Sequence, residues 1–397
     1  MSFNFDLPFR AWEQRELSSL LSFSNGINAP KEHYGKGRKM ISVMDILDEK
    51  PVKYEFIRNS VQVDKKIESK NKVEYGDIVF VRSSEVPEEV GWAKAYLEKE
   101  YALYSGFSIR GKKINEFNPY FVELTLNSIN RKQIERKAGG STRFNVSQTI
   151  LSSIELLMPE IEEQNKIDKF FIQLDTTIAL HQRKLDALKL MKKGFLQQMF
   201  PKIEADIPEI RFADFDGKWE QRKLGEIFNE RSERSADGEL ISVTINSGVI
   251  KASKLEKKDN SSFDKSNYKV VKKGDIAYNS MRMWQGASGY SSYDGILSPA
   301  YTVIYPRKDI DTIFIAYMFK KIDMIQTFQR NSQGLTSDTW NLKFPSLSTI
   351  KIKIPANDEQ IKITNLFQKL EYTSILHQNQ IEMLKKVKKA YLQTMFI

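Results

Sequence analysis

A near-duplicate constrains this chain more than any other feature in it. The nonapeptide "KKGFLQQMF" at 192–200 returns as "KKAYLQTMF" at 388–396. Aligning Pro159 with Pro355 sets an offset of 196 residues. The same offset pairs Glu163-Gln164 with Glu359-Gln360, Phe171 with Phe367, His181-Gln182 with His377-Gln378, and Met199-Phe200 with Met395-Phe396, without a gap. A second echo precedes each copy, "WEQREL" at 12–17 and "WEQRKL" at 219–224, so the first intervening segment is eleven residues longer than the second. A repeat of this kind is one structural unit written twice. The chain therefore reads as a variable segment, a helix, a second variable segment and a second helix.

The duplicated stretches are helical by period. Ile167, Phe171, Leu174, Ile178, His181, Leu185, Leu188, Lys192, Phe195 and Met199 recur at spacings of four and three. The second copy gives Ile363, Phe367, Leu370, Ser374, His377, Ile381, Leu384, Lys388, Tyr391 and Met395. This is the heptad seam of a helix that packs along a partner. Pro159 and Pro201 bracket the first copy, which holds no proline and only Gly194 between them. Roughly 40 residues at about 1.5 Å each make a rod of about 60 Å. Its half-apolar face needs cover, and the other copy is the nearest candidate. The intervening segment leaves enough chain to reverse direction, so the expected arrangement is an antiparallel pair with a pseudo-twofold relation. His181 and His377 fall near mid-rod, where a polar seam residue can fix register. Lys192 and Lys388 interrupt the seam at the same place and are expected to snorkel at its edge.

The fold class that follows is α+β: two mixed segments, 1–155 and 202–351, with long helices at 156–201 and 352–397. Short β-branched runs at 77–81, 275–279, 301–305 and 350–354 read as strands, while 118–128 and 311–322 read as short helices. Each segment carries a "GDI", at 76–78 and 274–276, followed by a polar stretch with one arginine. Each also carries a glycine-containing loop before its long helix, "AGGSTRFNVS" at 138–147 and "SQGLTSDTWNLKF" at 332–344. A shared scaffold with divergent loops is the usual way to place recognition. The loops hold the residue types that read base edges: Arg for guanine, Asn and Gln for adenine, Ser and Thr for either. Arg82, Ser83, Arg143 and Asn145 are the candidates in the first segment. Asn279, Arg282, Gln285, Gln333, Thr336, Ser337 and Asn341 are those in the second. Trp284 and Trp340 can stack on or wedge between bases, or plug a local core. Lysine-rich runs at 64–72, 110–113 and 254–258 suit phosphate contacts or a solvated face.

Composition narrows the partner. A net charge of +10 and a pI near 9.2 favour a polyanion, and nucleic acid above all. No apolar run approaches the ~20 residues that span a bilayer, and "MSFNFDLPFR" lacks a signal-peptide layout, so the expected location is the cytoplasm. With no cysteine and three scattered histidines, no disulfide or thiolate site is possible and no metal centre is expected. "NPYF" at 118–121 and "SPAY" at 298–301 imitate the catalytic loop of adenine methyltransferases, but both lack its second proline. Asn118 as a helix N-cap with Pro119 at the first helical position explains the former, and a strand start the latter. No dinucleotide or Walker loop and no nucleophile triad stands out. The chain reads as built to bind, not to react.

Two basic variable segments, each followed by a repeated helix that opens "P…EQ…I…L" and closes "LK..KK..L..MF", resemble the specificity subunit of type I restriction-modification enzymes. The "PEIRF…W…KLGEI" run at 208–227 is similar to that family's lead-in to its second recognition domain. The resemblance implies a non-catalytic subunit that reads double-stranded DNA, with one target recognition domain per half of a split, asymmetric site. It implies helices that set the unread gap and dock two modification subunits. Those subunits would carry S-adenosylmethionine and methylate adenine N6; restriction subunits, where present, would bring ATP, Mg and translocation. This chain itself would hold no cofactor. Three other readings remain: the specificity subunit of another bipartite-site restriction-methylation system, a non-DNA coiled-coil scaffold, and an autonomous methyltransferase.

Overall fold

The computed structural model describes residues 12–140, 142–255 and 263–396. The stretch "MSFNFDLPFR", Ser141 of the first loop and Lys257 and Lys258 of the 254–258 run lie outside the described residues. The two duplicated stretches form helices Ile161–Gln198 and Asn357–Thr394, each of 38 residues. The chain divides into two compact units, Met1–His181 with Gln380–Ile397, and Gln182–Asn379. Each unit thus contains one variable segment, the start of one long helix and the end of the other.

In the first unit, a four-stranded antiparallel sheet runs in the order Leu21–Asn25, Ser108–Lys113, Ile78–Val81, Ala93–Ala95. Beside it lies a three-stranded sheet of Asn59–Val61, Tyr34–Ile41 and Leu103–Tyr104. The "GDI" explains how the central strand begins. Gly76 takes φ +95°, open mainly to glycine, and buried Asp77 accepts from the backbone N–H groups of Glu74 (3.0 Å) and Lys113 (3.0 Å). Burial pushes the Asp77 carboxyl above its ordinary range. Asn118 caps helix Pro119–Asn127 by accepting from Phe121 N at 2.9 Å.

The second unit repeats these devices on its own strands. Its four-stranded antiparallel sheet runs Phe228–Glu230, Tyr301–Pro306, Ile276–Asn279, Ser288–Tyr290. Gly274 takes φ +100°, and Asp275 accepts from Lys272 N at 2.8 Å and pairs with Arg231 at 2.6 Å. Asp311 caps helix Thr312–Met318 by accepting from Phe314 N at 2.7 Å. The helix expected over 311–322 is in fact two, Thr312–Met318 and Ile322–Asn331. Between them the backbone at Lys321 is extended (ψ 146°), which interrupts the run, and its buried side chain donates to Pro201 O (2.7 Å) and Asp323 (3.0 Å).

The repeated motifs are parts of one junction. "EQRE" is charged and exposed along its length, yet Glu13–Glu16 is a strand, because it pairs antiparallel with Glu155–Met158 at the foot of the first helix. Glu220–Lys223 pairs likewise with Lys351–Ile354. The tryptophan before each strand meets the "MF" that ends a helix. Trp12 packs edge-on to Phe396 (6.2 Å), which also stacks on Phe171 (6.1 Å). Trp219 packs edge-on to Phe200 (6.1 Å), itself stacked on Phe314 (5.1 Å) and tilted against Phe367 (6.2 Å). The repeated "EQ" is a latch. Gln164 donates to Pro159 O (2.8 Å) and accepts from Asn118 N (2.9 Å); Gln360 donates to Pro355 O (2.9 Å) and accepts from Asp311 N (3.0 Å).

Within each unit the two helical segments run antiparallel. In the first, Phe171 meets Phe396 and, one turn on, Asp175 accepts from Lys388 at 2.6 Å. In the second, Phe367 meets Phe200 and Glu371 accepts from Lys192 at 2.6 Å. Tyr120 and Tyr317 donate to the same carboxylates at 2.6 and 2.8 Å. The two seam lysines therefore end on a carboxylate of the facing helix rather than merely reaching water. Of the other seam positions, Ile167, Phe171, Leu185, Met199, Ile363, Phe367, Leu370 and Ile381 are buried. Leu174, Ile178, His181, Leu188, Phe195, Ser374, His377, Leu384 and Met395 are half-buried. Tyr391 departs from the expectation: it is 43% exposed and lies against the edge of Phe170. The last turn instead turns Leu392, Met395 and Phe396 into the core, which leaves position 391 outboard.

Candidate nucleic-acid interface

In the first unit the chain leaves strand Ile78–Val81 at Arg82 and Ser83, and there it meets the loop that precedes the long helix. Val146 N donates to Arg82 O (3.0 Å), and Asn145 pairs opposite Ser83 in a two-residue ladder. The loop closes as a hairpin through two bonds between Gly139 and Asn145, of 3.1 and 2.8 Å. Gly140 takes φ +134°, and a Cβ there would meet Arg143 O at 2.0 Å, so only glycine fits the turn. Arg82, Ser83, Arg143 and Asn145 are thus brought together, although the two stretches lie some sixty residues apart in the chain. Arg82 is half-buried, its backbone N–H on Phe107 O (2.9 Å) and its guanidinium on Gly106 O (3.4 Å). Arg143 and Asn145 are exposed.

Phe107 belongs to this cluster and was not anticipated. It is 54% exposed, and the Arg143 guanidinium sits 5.7 Å from its ring centre. An aromatic between turn residues in "YSGFSIR" was the available signal. A flat exposed ring beside an arginine offers a stacking surface.

The second unit builds the same junction with different side chains. Leu342 N donates to Ser280 O (2.8 Å), as Val146 does to Arg82, and Gln333 and Asn341 close the hairpin at 3.0 and 2.8 Å. Gly334 takes φ +143°, with a Cβ position 2.6 Å from Thr339 O. Trp284 and Trp340 pack edge to face at 5.2 Å, each from one of the two loops. The Trp284 indole donates to Met281 O at 3.0 Å. These tryptophans brace the loops against each other, which favours the plug over a free stacking surface. Arg282, Thr336 and Ser337 are exposed, and Gln285 is half-buried. Asn279 uses its Oδ1 to accept from Met281 N (3.0 Å), and Gln333 donates to Ser346 at 3.4 Å, so both are partly spent on holding the loops. Asn341 is half-buried, and its Oδ1 is enclosed without a hydrogen-bond partner. Asp338, exposed on the same loop, adds an acceptor suited to the cytosine amino group. Beneath the Arg282 turn, Lys320 donates to Gly286 O (2.6 Å) and Ile245 O (3.3 Å). Burial, with the charge of Lys192 adding to it, pushes its ammonium down to about 8.

The basic runs divide. The helix Lys65–Lys70 presents lysines to solvent. In the 110–113 run, however, Arg110 is buried with its guanidinium on Lys72 O, and Lys113 donates to Phe117 O at 2.8 Å. Those two side chains are spent on backbone carbonyls of their own unit. Asn118 of "NPYF" caps a helix, and Ser298 O accepts from Tyr301 N (3.1 Å) in a turn before strand Tyr301–Pro306, so both tetrapeptides have structural roles. Among the described residues no cluster of three or more metal-ligating side chains occurs, and no helix is long and apolar enough to cross a membrane.

Comparison with known proteins gives a consistent picture. The family profile described as the type I restriction modification DNA specificity domain matches residues 11–190 and again 216–386. A putative type I restriction enzyme MjaX specificity subunit from Methanocaldococcus jannaschii is 25% identical over 225 residues, 54% of this chain and 52% of the relative. The match thus spans about half the length of that curated relative. Among solved structures, the S subunit of a type I restriction-modification system from M. genitalium aligns with TM-score 0.58 at 15% identity, covering 100% of this chain and 98% of that one. The HsdS subunit from Thermoanaerobacter tengcongensis aligns with TM-score 0.51 at 14% identity, covering 97% and 96%. These likenesses are of fold.

Proposed function

The chain belongs to the type I restriction-modification DNA specificity family, and on that premise we propose that it is the sequence-reading, non-catalytic subunit of a type I restriction-modification complex. Its two variable segments, 1–155 and 202–351, each read one half of a bipartite, asymmetric duplex site. The helical segments 156–201 and 352–397 set the length of the unread gap and dock two modification subunits. Those partners bind S-adenosylmethionine and methylate adenine N6 in each half-site after taking the base out of the stack. Restriction subunits, where present, add ATP-driven translocation.

One observation carries this reading. The same loop junction is built twice on equivalent strands, while the side chains it displays differ: Arg143 and Asn145 with Phe107 in one unit, Arg282, Thr336 and Ser337 in the other. A repeated frame with unlike readers is what an asymmetric two-part target demands. Lysine and arginine contacts to phosphate supply non-specific affinity and make it steeply salt-dependent, and each good bidentate base contact adds about 1–3 kcal/mol of discrimination.

Methylation-sensitive sequencing of DNA from cells that carry the chain with its modification subunits tests the proposal. The expected result is one bipartite motif with a fixed gap. Absence of any motif, or no gel-shift affinity at low salt with the modification subunits added, contradicts it. Methylation by the purified chain with S-adenosylmethionine alone would establish the autonomous enzyme instead.

A further inference from the structure

The second loop junction carries an apolar side chain that none of the described residues covers. Leu335 is fully exposed, on the hairpin closed by Gln333 and Asn341 and directly before its turn. It is held on both sides. Gly334 before it has a left-handed backbone, and after it Thr336 and Thr339 form a tight turn through Thr339 N to Thr336 O (3.0 Å), with Trp340 N on the same carbonyl at 3.1 Å. The Trp284–Trp340 pair supports the hairpin base against the Arg282 turn. The first hairpin, spanning 139–145, is two residues shorter than this one at 333–341. The exposed leucine is therefore carried on a braced loop, directly before the exposed hydroxyls of Thr336 and Ser337 in the chain.

We infer that Leu335 is a wedge that inserts at a base step of the half-site read by the second variable segment. The inference rests on the DNA-reading function proposed above. In water the exposed leucine gains no burial, whereas between base pairs it replaces lost stacking with apolar contact and opens the step. The hydroxyls of Thr336 and Ser337 then reach phosphate and base edges at the opened site. Selectivity arises at that step without a base-edge hydrogen bond, because steps differ in what they cost to unstack.

The test uses the chain assembled with its modification subunits, on a duplex bearing the motif that sequencing identifies. Fluorescent 2-aminopurine is substituted in turn for each adenine and pyrrolo-cytosine for each cytosine, the methylated adenines excepted, so that every other base pair carries a probe. Wild-type complex is expected to raise fluorescence at one step, in one half-site. Leu335→Ala removes that rise and weakens binding about tenfold, the effect of withdrawing most of a buried leucine side chain. Leu335→Met keeps both. Specific binding with no rise at any step, or a rise that Leu335→Ala leaves intact, overturns the wedge alone. Loss of complex assembly by Leu335→Ala, with the rise intact in whatever complex forms, assigns the leucine to a protein partner and also overturns it. Failure of the wild-type complex to bind the motif overturns the DNA-reading function, and the wedge with it.

Discussion

Replacing Phe200 with alanine tests the least intuitive feature of the fold, that the end of the first long helix belongs to the core of the segment that follows it. Phe200 is 1% exposed, stacked on Phe314 at 5.1 Å and ringed by Trp219 and Phe367. Truncating a phenylalanine in such a site costs about 3–5 kcal/mol, because the cavity adds to the lost transfer term and rigid aromatic neighbours cannot collapse into it. At about 1.4 kcal/mol per tenfold, local protection against hydrogen exchange should fall by roughly two to three and a half orders of magnitude. The loss should centre on strand Ile276–Asn279 and helix Thr312–Met318, whose unit shares that core. Peptides from Ile78–Val81 and Pro119–Asn127 should keep their protection, since their core is closed by Phe396 instead. Leu190→Ala, on the same helix but 71% exposed, is the control and should change little. Loss of protection in the first unit with the second unaffected would refute the assignment.

Three further outcomes follow from the geometry. Arg282→Ala should relax discrimination in one half-site by about 1–3 kcal/mol while the other half-site motif is unchanged, read by methylation-sensitive sequencing and competition binding; loss in both halves contradicts the modular reading. Inserting four residues after Lys189 should alter the gap between half-sites and leave both half-site sequences intact; altered half-sites would show that the helices do not set the spacing. Lys320→Met should flatten a pH dependence. With the native ammonium at about 8 against an ordinary 10.5, the folded protein sheds this proton first, so wild-type stability should rise relative to the variant from pH 8 toward 10.5. A difference in thermal midpoint that stays constant or falls over that window would be the wrong sign.

Local pattern settled what is periodic or conformationally obligatory. The helices Ile161–Gln198 and Asn357–Thr394 follow from a seam that repeats every three and four residues, and the Asn118 cap from one polar residue before a proline. Gly76 and Gly274 mark turns that other residues resist, so "GDI" announced its strands. The candidate loops were legible for the same reason, as polar stretches punctuated by glycine. What they touch was not. Val146 reaches Arg82, and Leu342 reaches Ser280, across about sixty residues of chain, and no local period encodes a partner at that distance. The charged strand Glu13–Glu16 has no strand-like alternation and exists only because Glu155–Met158 lies beside it. Arg110 sits in a basic run that suits phosphate contacts and is buried by its sheet; Phe107, which no periodic pattern singles out, is exposed beside Arg143.

By itself, then, the sequence determined that there are two long helices, that a segment precedes each, and that the segments share a frame with unlike loops. The tertiary structure alone decided that "WEQR" and "MF" are halves of one junction, that Lys192 and Lys388 end on Glu371 and Asp175, and that Trp284 and Trp340 brace each other. The reason is physical. Period and backbone conformation are properties of neighbouring residues, whereas the partner of a buried ring or a half-buried charge is chosen by whichever distant group the folded core brings within contact.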